Sequence, residues 1–429
     1  MSSFPLTDAQ TALWLHHVFL PDKPICNTGQ LVSLNAPINP SLFADALNSA
    51  LEEADALRIR LGIASGVPFQ RVVGFERAPL EIMDFSSESD PTKAALAWIE
   101  REFWTNIPWQ TFPLFRFVLV KTANDRYLWL QKHHHIIVDA TGAELLTRRV
   151  IQFYEALTGG HSPPPSAGAP FHTFVESERD YRNSERFNED QEYWLDRFSD
   201  LPTPLISGDR VNSERSRSGR PARLSFHVEK EVWDTLEAAA KLYKSTTFRA
   251  VIALIYIALR RLYGVENIGL GVPLTGRTGK FKETIGLFSH VMPFRLQVHG
   301  DASFHSTLIR VGELISRDYT HRRFPVTALT KQLQARHGRI PLYDIIVNYV
   351  PTEYALNFVG SPLSAKNLSR GFFSPWAIEI TDYGSRGLDV AVTYDQGLIS
   401  LREAKRLAKH LEFDLRNRIG CGDQPIVSL

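Results

Sequence analysis

The spacing of apolar positions changes in one stretch of the chain, from the period of a strand to that of a helix. The segment YLWLQKHHHIIVDATG (127–142) begins with aromatic and aliphatic residues. The β-branched residues Ile136, Ile137 and Val138 favour extended backbone, because branching at Cβ restricts the side-chain rotamers. Beyond Asp139 apolar residues recur at helical intervals, and Thr141 with Glu144 has the spacing of a capping box. The pattern predicts a strand that leads through a polar turn into a helix.

Three consecutive histidines stand at the end of this predicted strand. Because successive side chains face opposite ways, His133 and His135 share one face and His134 lies on the other. Histidine has an unperturbed pKa near neutrality, so His135 is a candidate acid, base or ligand, with a buried structural role as the alternative. Asp139 falls at the predicted helix start, where unpaired N–H groups and the positive dipole end are found.

A metal site is a further interpretation of the same residues. Three histidines and an aspartate could supply enough ligands for zinc. Adjacent strand residues diverge, however, and no second His/Cys cluster with ligand spacing occurs in the sequence. We therefore predict no metal.

Strands and helices alternate on both sides of one segment rich in proline and small residues. This segment, SPPPSAGAP (162–170), is typical of a linker. We predict two α/β halves, residues 1–165 and 166–429. The predicted strands are 31–34, 56–61, 114–120, 127–138, 224–228, 268–274, 285–296, 341–350, 376–381 and 388–394, and the predicted helices are 7–20, 40–54, 91–104, 142–157, one or two within 171–198, 230–243, 246–263, 304–319 and 401–417.

Composition and charge are those of a globular protein without a bulk preference for polyanions. A net charge of +1 gives no electrostatic reason to bind nucleic acid or an anionic membrane. The longest apolar run, 250–259, is about half of the ~20 residues that span a bilayer, and predicts a buried helix. The arginine-rich segment 209–223 is either a docking patch for an acidic partner or a solvated loop. Two cysteines, Cys26 and Cys421, cannot form a disulfide framework, and the first residues lack a signal-peptide pattern, so we predict a cytoplasmic protein.

Seven segments, in order along nearly the whole chain, carry a family resemblance. The most specific is HHIIVDA (134–140), which matches the signature HHxxxDG except in its last residue. On these segments the chain resembles the condensation domains of nonribosomal peptide synthesis. The other six are LTDAQTALWL (6–15), ADALRIRL (54–61), FHTFVESERDY (171–181), IGLFSHVMPFRL (285–296), RRFPVTAL (322–329) and HGRIPLYDIIVNY (337–349). Cyclisation, epimerisation and plant acyl-CoA classes are not matched, because both signature histidines are present and neither the glutamate motif nor a DFGWG element is found.

The resemblance implies an α/β fold of two chloramphenicol acetyltransferase-like lobes that form a V-shaped pseudodimer with a central tunnel. It implies an acyltransferase that joins a thioester donor on one carrier protein to an acceptor amine, carrier-bound or free, as an amide or sometimes an ester. It also implies that the domain binds no cofactor of its own, since the carriers deliver phosphopantetheine arms. The variant LRIRL (57–61) resembles free-standing and first-module members, such as the enterobactin synthase condensation domain, which favours an acyl donor such as an aryl acid.

The resemblance also assigns roles to individual residues. His135 is expected to face the tunnel, where it takes a proton from the attacking amine or holds that amine at attack distance. His134 is expected to pack and to form hydrogen bonds, and Asp139 to pair with Arg277 of the other lobe. The helix start near Gly142 is the expected source of donors to the tetrahedral oxyanion. The expected tunnel-lining residues are His290 and Trp376.

Departures from the family pattern leave alternatives open. Ala140 replaces the signature glycine, so a position that glycine could occupy at positive φ must suit alanine, unless Gly142 absorbs the difference. His290 stands where many members have asparagine. One alternative function is the same fold acting on a free small amine or alcohol, and another is a catalytically silent domain that recruits carriers. The positions of the first and last motifs fit a free-standing enzyme and an excised first domain equally well.

Overall fold

A computed structural model of the chain describes residues 3–21, 23–206, 221–299, 303–338, 341–351, 356–369, 374–384 and 386–417. Most of the arginine-rich segment, and Cys421, lie outside the described residues. The chain divides into two compact units: the first holds residues 1–183, 275–290 and 354–371, and the second holds 184–274, 291–353 and 372–429. These units differ from the predicted halves, because two later segments of the chain fold with the first unit.

The helices and strands of the described residues follow the predicted alternation. The helices are α1 (Asp8–Phe19), α2 (Pro40–Glu53), α3 (Pro91–Phe103), α4 (Ala140–Gly159), α5 (His172–Arg182), α6 (Glu185–Arg197), α7 (Lys230–Leu242), α8 (Thr247–Tyr263), α9 (Phe304–Thr320), α10 (Val326–His337) and α11 (Leu401–Asn417). The strands are β1 (Ser3–Pro5), β2 (Asn27–Leu34), β3 (Ile59–Ala64), β4 (Val67–Val72), β5 (Glu81–Asp84), β6 (Phe115–Ala123), β7 (Arg126–His134), β8 (Pro221–Val228), β9 (Asn267–Thr275), β10 (Ser289–Gln297), β11 (Ile345–Pro351), β12 (Asn357–Phe358), β13 (Ser361–Pro362), β14 (Ser364–Asn367), β15 (Trp376–Asp382) and β16 (Leu388–Asp395).

The first unit is organised around a five-stranded sheet in the order β14-β2-β7-β6-β5. Its central strand β7 is antiparallel to both neighbours, β2 and β6. One face of the sheet packs against α2 and α4 in a core that includes Phe43, Trp129 and Leu146. The other face packs against α3 through Ile99 and Leu130. Because both faces are covered, β7 is buried without a break from Trp129 to His134, including the four polar residues 131–134.

A three-stranded sheet, β1-β4-β3, and a two-stranded sheet, β12-β13, complete the strands of this unit. The strand predicted at 56–61 begins only at Ile59, because Asp55–Arg58 forms a 3-10 turn. The Asp55 carboxylate accepts the N–H groups of Phe171 and His172 at 2.7 and 3.1 Å. These hydrogen bonds tie the turn to the start of α5, so tertiary contacts override the strand pattern at this point.

The second unit contains a six-stranded sheet in the order β10-β9-β11-β15-β16-β8. Strand β11 is parallel to β9 and β15, and the predicted hairpin β15-β16 is antiparallel. The apolar run 250–259 lies in α8 and is buried along its whole length, which confirms the predicted buried helix. By length and hydropathy, no single helix in the described part of the chain could cross a membrane, whereas the bent pair α7 and α8 could on those two criteria alone.

Candidate active site

The histidine run lies where β7 gives way to α4. The predicted strand 127–138 ends at His134, and the next residues form tight turns instead of continuing the sheet. The N–H of Ile137 donates to the carbonyl of His134 at 3.2 Å, and the N–H of Val138 donates to that of His135 at 3.3 Å. The branched residues are fully buried here, so packing against the core outweighs their preference for extended backbone.

The His135 ring is held in one orientation with one tautomer. Its Nδ1 lies 2.9 Å from the carbonyl oxygen of Val138. A carbonyl can only accept, so in the neutral ring Nδ1 carries the proton and the lone pair is on Nε2. The backbone N–H of His135 donates to the carbonyl of Cys26 at 2.7 Å, and its side chain is partly exposed. This geometry presents a proton acceptor at Nε2.

Asp139 is a fully engaged buried carboxylate and the N-cap of α4. Its Oδ1 accepts the N–H of Gly142 at 2.8 Å. Its Oδ2 accepts from Nη1 of Arg277 at 2.7 Å and from the N–H groups of Phe288 and Ser289, both at 2.9 Å. Burial acts to raise the pKa of Asp139, but the Arg277 guanidinium and these donors outweigh it, so the net pKa lies below its usual value.

The Arg277 guanidinium is held as firmly as its partner. Nη2 donates to the carbonyl of Gly286 at 2.8 Å and Nε to that of Thr284 at 3.3 Å, and the guanidinium lies 4.5 Å from the ring centroid of Phe288. The resemblance placed this arginine in the opposite lobe, but it belongs to the same compact unit as Asp139. The strand predicted at 285–296 begins only at Ser289, because the residues before it direct backbone groups to this ion pair.

One prediction about the helix start is wrong: the cap is Asp139, not a box of Thr141 and Glu144. The N–H of Gly142 donates to that carboxylate at 2.8 Å, and the role of this helix start as a source of oxyanion donors stays a prediction. The first-turn N–H groups without an intrahelical acceptor are those of Ala140 and Thr141.

The glycine substitution in the signature causes no backbone strain. Ala140 is the exposed first residue of α4 and has no positive φ. Gly142 also lacks a positive φ and is needed for space instead. A Cβ there would lie 2.7 Å from Cγ2 of Val138 and 2.8 Å from the carbonyl oxygen of Gly286. Close approach of the 286 backbone, not left-handed geometry, therefore explains the glycine.

His134 is fully buried and hydrogen-bonded, as predicted. Its Nδ1 accepts the N–H of Ile136 at 3.2 Å, and its Nε2 lies 3.1 Å from Nδ1 of His17 on α1. Sequence reasoning missed His17, although it lies at the end of the helix formed by the first family segment.

His17, Cys26 and His134 place three metal-ligand atoms within 4.8 Å of one another. A metal on Nε2 of His134 would force the ring proton onto Nδ1, which faces the N–H of Ile136. Burial also raises the pKa of the Cys26 thiol to about 12, which disfavours the thiolate that binds metals. The donor pattern of these side chains therefore fits a hydrogen-bonded cluster better than a metal site.

The remaining predicted residues lie in different surroundings. His133 is fully buried at the edge of the Phe117 ring, and both its ring nitrogens lack hydrogen-bond partners among the described residues. His290 is the second residue of β10 and is partly exposed. Trp376 is only 1% exposed and packs in the core of the second unit beside Tyr394, which differs from the tunnel-lining position predicted.

Comparison with known proteins gives the site its context. The family model described as "Condensation domain" matches residues 2–429. The chain is 30% identical to a dimodular nonribosomal peptide synthase of Bacillus subtilis (strain 168), over 88% of this chain and 16% of that protein. It is 29% identical to an isonitrile lipopeptide synthase of Streptomyces coeruleorubidus (99% and 29% covered), and 23% identical to enterobactin synthase component F of Escherichia coli O157:H7 (99% and 33% covered). It therefore spans less than two thirds of these relatives.

Solved structures show the same fold. A mutant starter condensation domain of rhizomide synthetase, in complex with C8-CoA and Leu-SNAC, matches with a TM-score of 0.88 at 25% identity, covering 100% of this chain and 96% of that one. The first condensation domain of the calcium-dependent antibiotic synthetase, in complex with a substrate analogue, matches with a TM-score of 0.86 at 25% identity, covering 100% and 99%. The chain belongs to the condensation domain family of nonribosomal peptide synthetases.

Proposed function

We propose that this domain joins an acyl thioester carried by one carrier protein to an acceptor amine, with an amide as the product. The observation that supports this most directly is the His135 ring, whose Nδ1 lies 2.9 Å from the Val138 carbonyl oxygen and whose Nε2 has no hydrogen-bond partner among the described residues. A neutral imidazole held in this way can accept a proton at the moment of attack.

In the proposed reaction the amine nitrogen attacks the thioester carbonyl carbon, and its proton passes to Nε2 of His135. The tetrahedral intermediate then collapses with cleavage of the carbon–sulfur bond. The same imidazole returns the proton to the departing thiolate, so the products are an amide and a free thiol on the donor arm. The carbonyl oxygen carries negative charge in the intermediate, and the N–H groups of Ala140 and Thr141 are the candidate donors at the α4 start.

The comparisons support carrier-delivered substrates. C8-CoA contains a phosphopantetheine thioester, and Leu-SNAC is an amino acid thioester, so the rhizomide domain's two ligands represent a donor and an acceptor of the kinds proposed here. Its description as a starter domain, and the similarity to enterobactin synthase component F, favour an acyl donor rather than a peptidyl one. We infer that this chain binds no cofactor of its own, and its cytoplasmic location stays a prediction.

The test is a reconstituted assay with a donor carrier loaded with octanoyl or aryl acyl groups and an aminoacyl-loaded acceptor carrier. We expect amide product from the unaltered domain, and a loss of about 10²- to 10⁴-fold in turnover for His135→Ala. The matched control is His227→Ala, which removes an exposed histidine paired with Asp389 in the second unit and should leave turnover unchanged. Unchanged turnover in His135→Ala would contradict the mechanism.

The same assay separates the alternative functions. Product formed from a free amine or alcohol, without an acceptor carrier, would indicate a small-molecule acceptor. Carrier binding without product for any substrate pair would indicate a silent recruiting domain. The structure removes one motive for the silent alternative, since Ala140 occupies its position without backbone strain and leaves the His135 contacts in place.

A further inference from the structure

Three residues near the N-terminus hold the turn that carries His135. Gln10 donates from Nε2 to the carbonyl of the residue that follows His135, at 3.1 Å. The carbonyl of Cys26 accepts the N–H of His135 at 2.7 Å. His17 places its Nδ1 3.1 Å from Nε2 of His134. All three are buried, so the setting of the turn depends on side chains and backbone more than a hundred residues away in sequence.

The direction of the bond between the two histidines follows from their other contacts. Nδ1 of His134 accepts the N–H of Ile136, so this nitrogen carries no proton. Burial, together with the nearby His17 and His135 rings, lowers the pKa of His134 to about 3, so the ring is neutral and its proton is on Nε2. Nε2–H therefore donates to Nδ1 of His17.

We propose that His17 is a positioning residue: by accepting the bond from His134, it fixes residues 134–138 and the direction in which Nε2 of His135 points. The inference rests on the proposed function, in which His135 Nε2 takes the proton. His17 is only 2% exposed, in the last turn of α1, so it acts through His134 and not by contact with a substrate. Its loss should lower kcat and leave substrate KM values nearly unchanged.

The test compares His17→Leu with His17→Asn in the reconstituted amide assay. Leucine removes the acceptor, whereas the asparagine Oδ1 restores one close to the position of Nδ1. We expect His17→Leu to lower kcat by about 10- to 100-fold, because small misplacements of a reacting group cost factors of this size. Both KM values should stay within about twofold, and His17→Asn should recover most of the turnover.

Leu13→Ala is the matched control for simple loss of packing. Leu13 is buried on the same helix and offers no side-chain hydrogen bond to the turn. We expect this variant to lower the melting temperature as much as His17→Leu does, without a matching loss of kcat. If Leu13→Ala reduced kcat equally, and His17→Asn failed to restore it, the role of His17 would be structural only.

A second readout does not depend on turnover. With ¹⁵N-labelled histidine, NMR of the full chain should show His135 protonated at Nδ1 alone, and a mixture of tautomers in His17→Leu. This readout separates the two proposals. If the domain makes no amide, the proposed function is refuted, but the NMR spectrum still shows whether His17 fixes the tautomer of the His135 ring. A single unchanged tautomer together with unchanged kcat in His17→Leu would overturn the positioning role.

Discussion

Replacing Asp139 with asparagine changes one carboxylate oxygen to an NH₂ group, although all four hydrogen bonds at this site are donated to the carboxylate. Oδ1 accepts one N–H, from Gly142, while Oδ2 accepts from Arg277, Phe288 and Ser289. The amide has only one acceptor oxygen. We expect it to face the three donors, which leaves its NH₂ group against the N–H of Gly142 and removes the α4 cap.

The magnitude follows from these contacts. The lost cap costs about 1 kcal/mol. The bonds from the Phe288 and Ser289 N–H groups change from charge-assisted to neutral, which costs about 1 kcal/mol apiece, whereas the bond from Arg277 keeps its charged donor. The Arg277 charge also loses its buried counter-ion. Breaking a buried ion pair by removing one partner costs about 3–5 kcal/mol, a figure that includes the lost cap and the weakened hydrogen bonds. We therefore expect Asp139→Asn to destabilise the first unit by about 3–5 kcal/mol.

Hydrogen exchange of peptides covering 126–159 measures this loss, because it reports the free energy of opening of that sheet and helix. Asp45→Asn is the control: it makes the same change in the exposed pair with Arg77 and should cost less than about 1 kcal/mol. The stability that ionised Asp139 contributes is present above its unfolded pKa of about 4 and is lost as pH falls through its lower folded pKa. The stabilities of the unaltered domain and of Asp139→Asn should therefore converge in acid. An Asp139→Asn variant as stable as Asp45→Asn would refute the reasoning.

Three further predictions concern the same region. Arg277→Met should cost less than Asp139→Asn in the same exchange experiment, because the carboxylate keeps three backbone N–H donors; a larger cost would contradict this. Gly142→Ala should lower the free energy of unfolding by about 1–3 kcal/mol, because the new Cβ would lie 2.8 Å from the carbonyl oxygen of Gly286. Its control is Ala140→Gly at the exposed helix start, which should cost about 1 kcal/mol or less; urea unfolding measures both. His133→Leu should raise stability by about 1–3 kcal/mol, because it removes two buried nitrogens without partners. Burial lowers the pKa of His133 from 6.5 to about 3, so between these pH values the unfolded chain binds a proton that the folded chain does not, and stability falls as pH falls. His133→Leu should therefore lose less stability than the unaltered domain between pH 6.5 and 3. An equal loss in the two proteins would refute the lowered pKa of His133.

Local sequence chemistry was enough to predict several features of the site. The change of period after Asp139 predicted a helix, and α4 is there. The signature spacing identified His135 and Asp139, and the resemblance named Arg277, which pairs with Asp139 at 2.7 Å. These features depend on side-chain type and on spacings of a few residues, which is the range over which helical periodicity and capping act.

Long-range packing decided the rest. The strand stops at His134 because the Ile137 and Val138 N–H groups turn back to the carbonyls of His134 and His135, where their side chains pack in the core. The predicted capping box gives way to Asp139 because Arg277, 138 residues away, holds that carboxylate at the helix start. His17 lies 117 residues from His134, and no local pattern connects them. Periodicity and capping rules describe neighbours in sequence, whereas a buried polar group must find a partner wherever the folded chain brings one. The sequence alone therefore singled out His135 as the candidate, and only the tertiary structure showed what holds its ring in place.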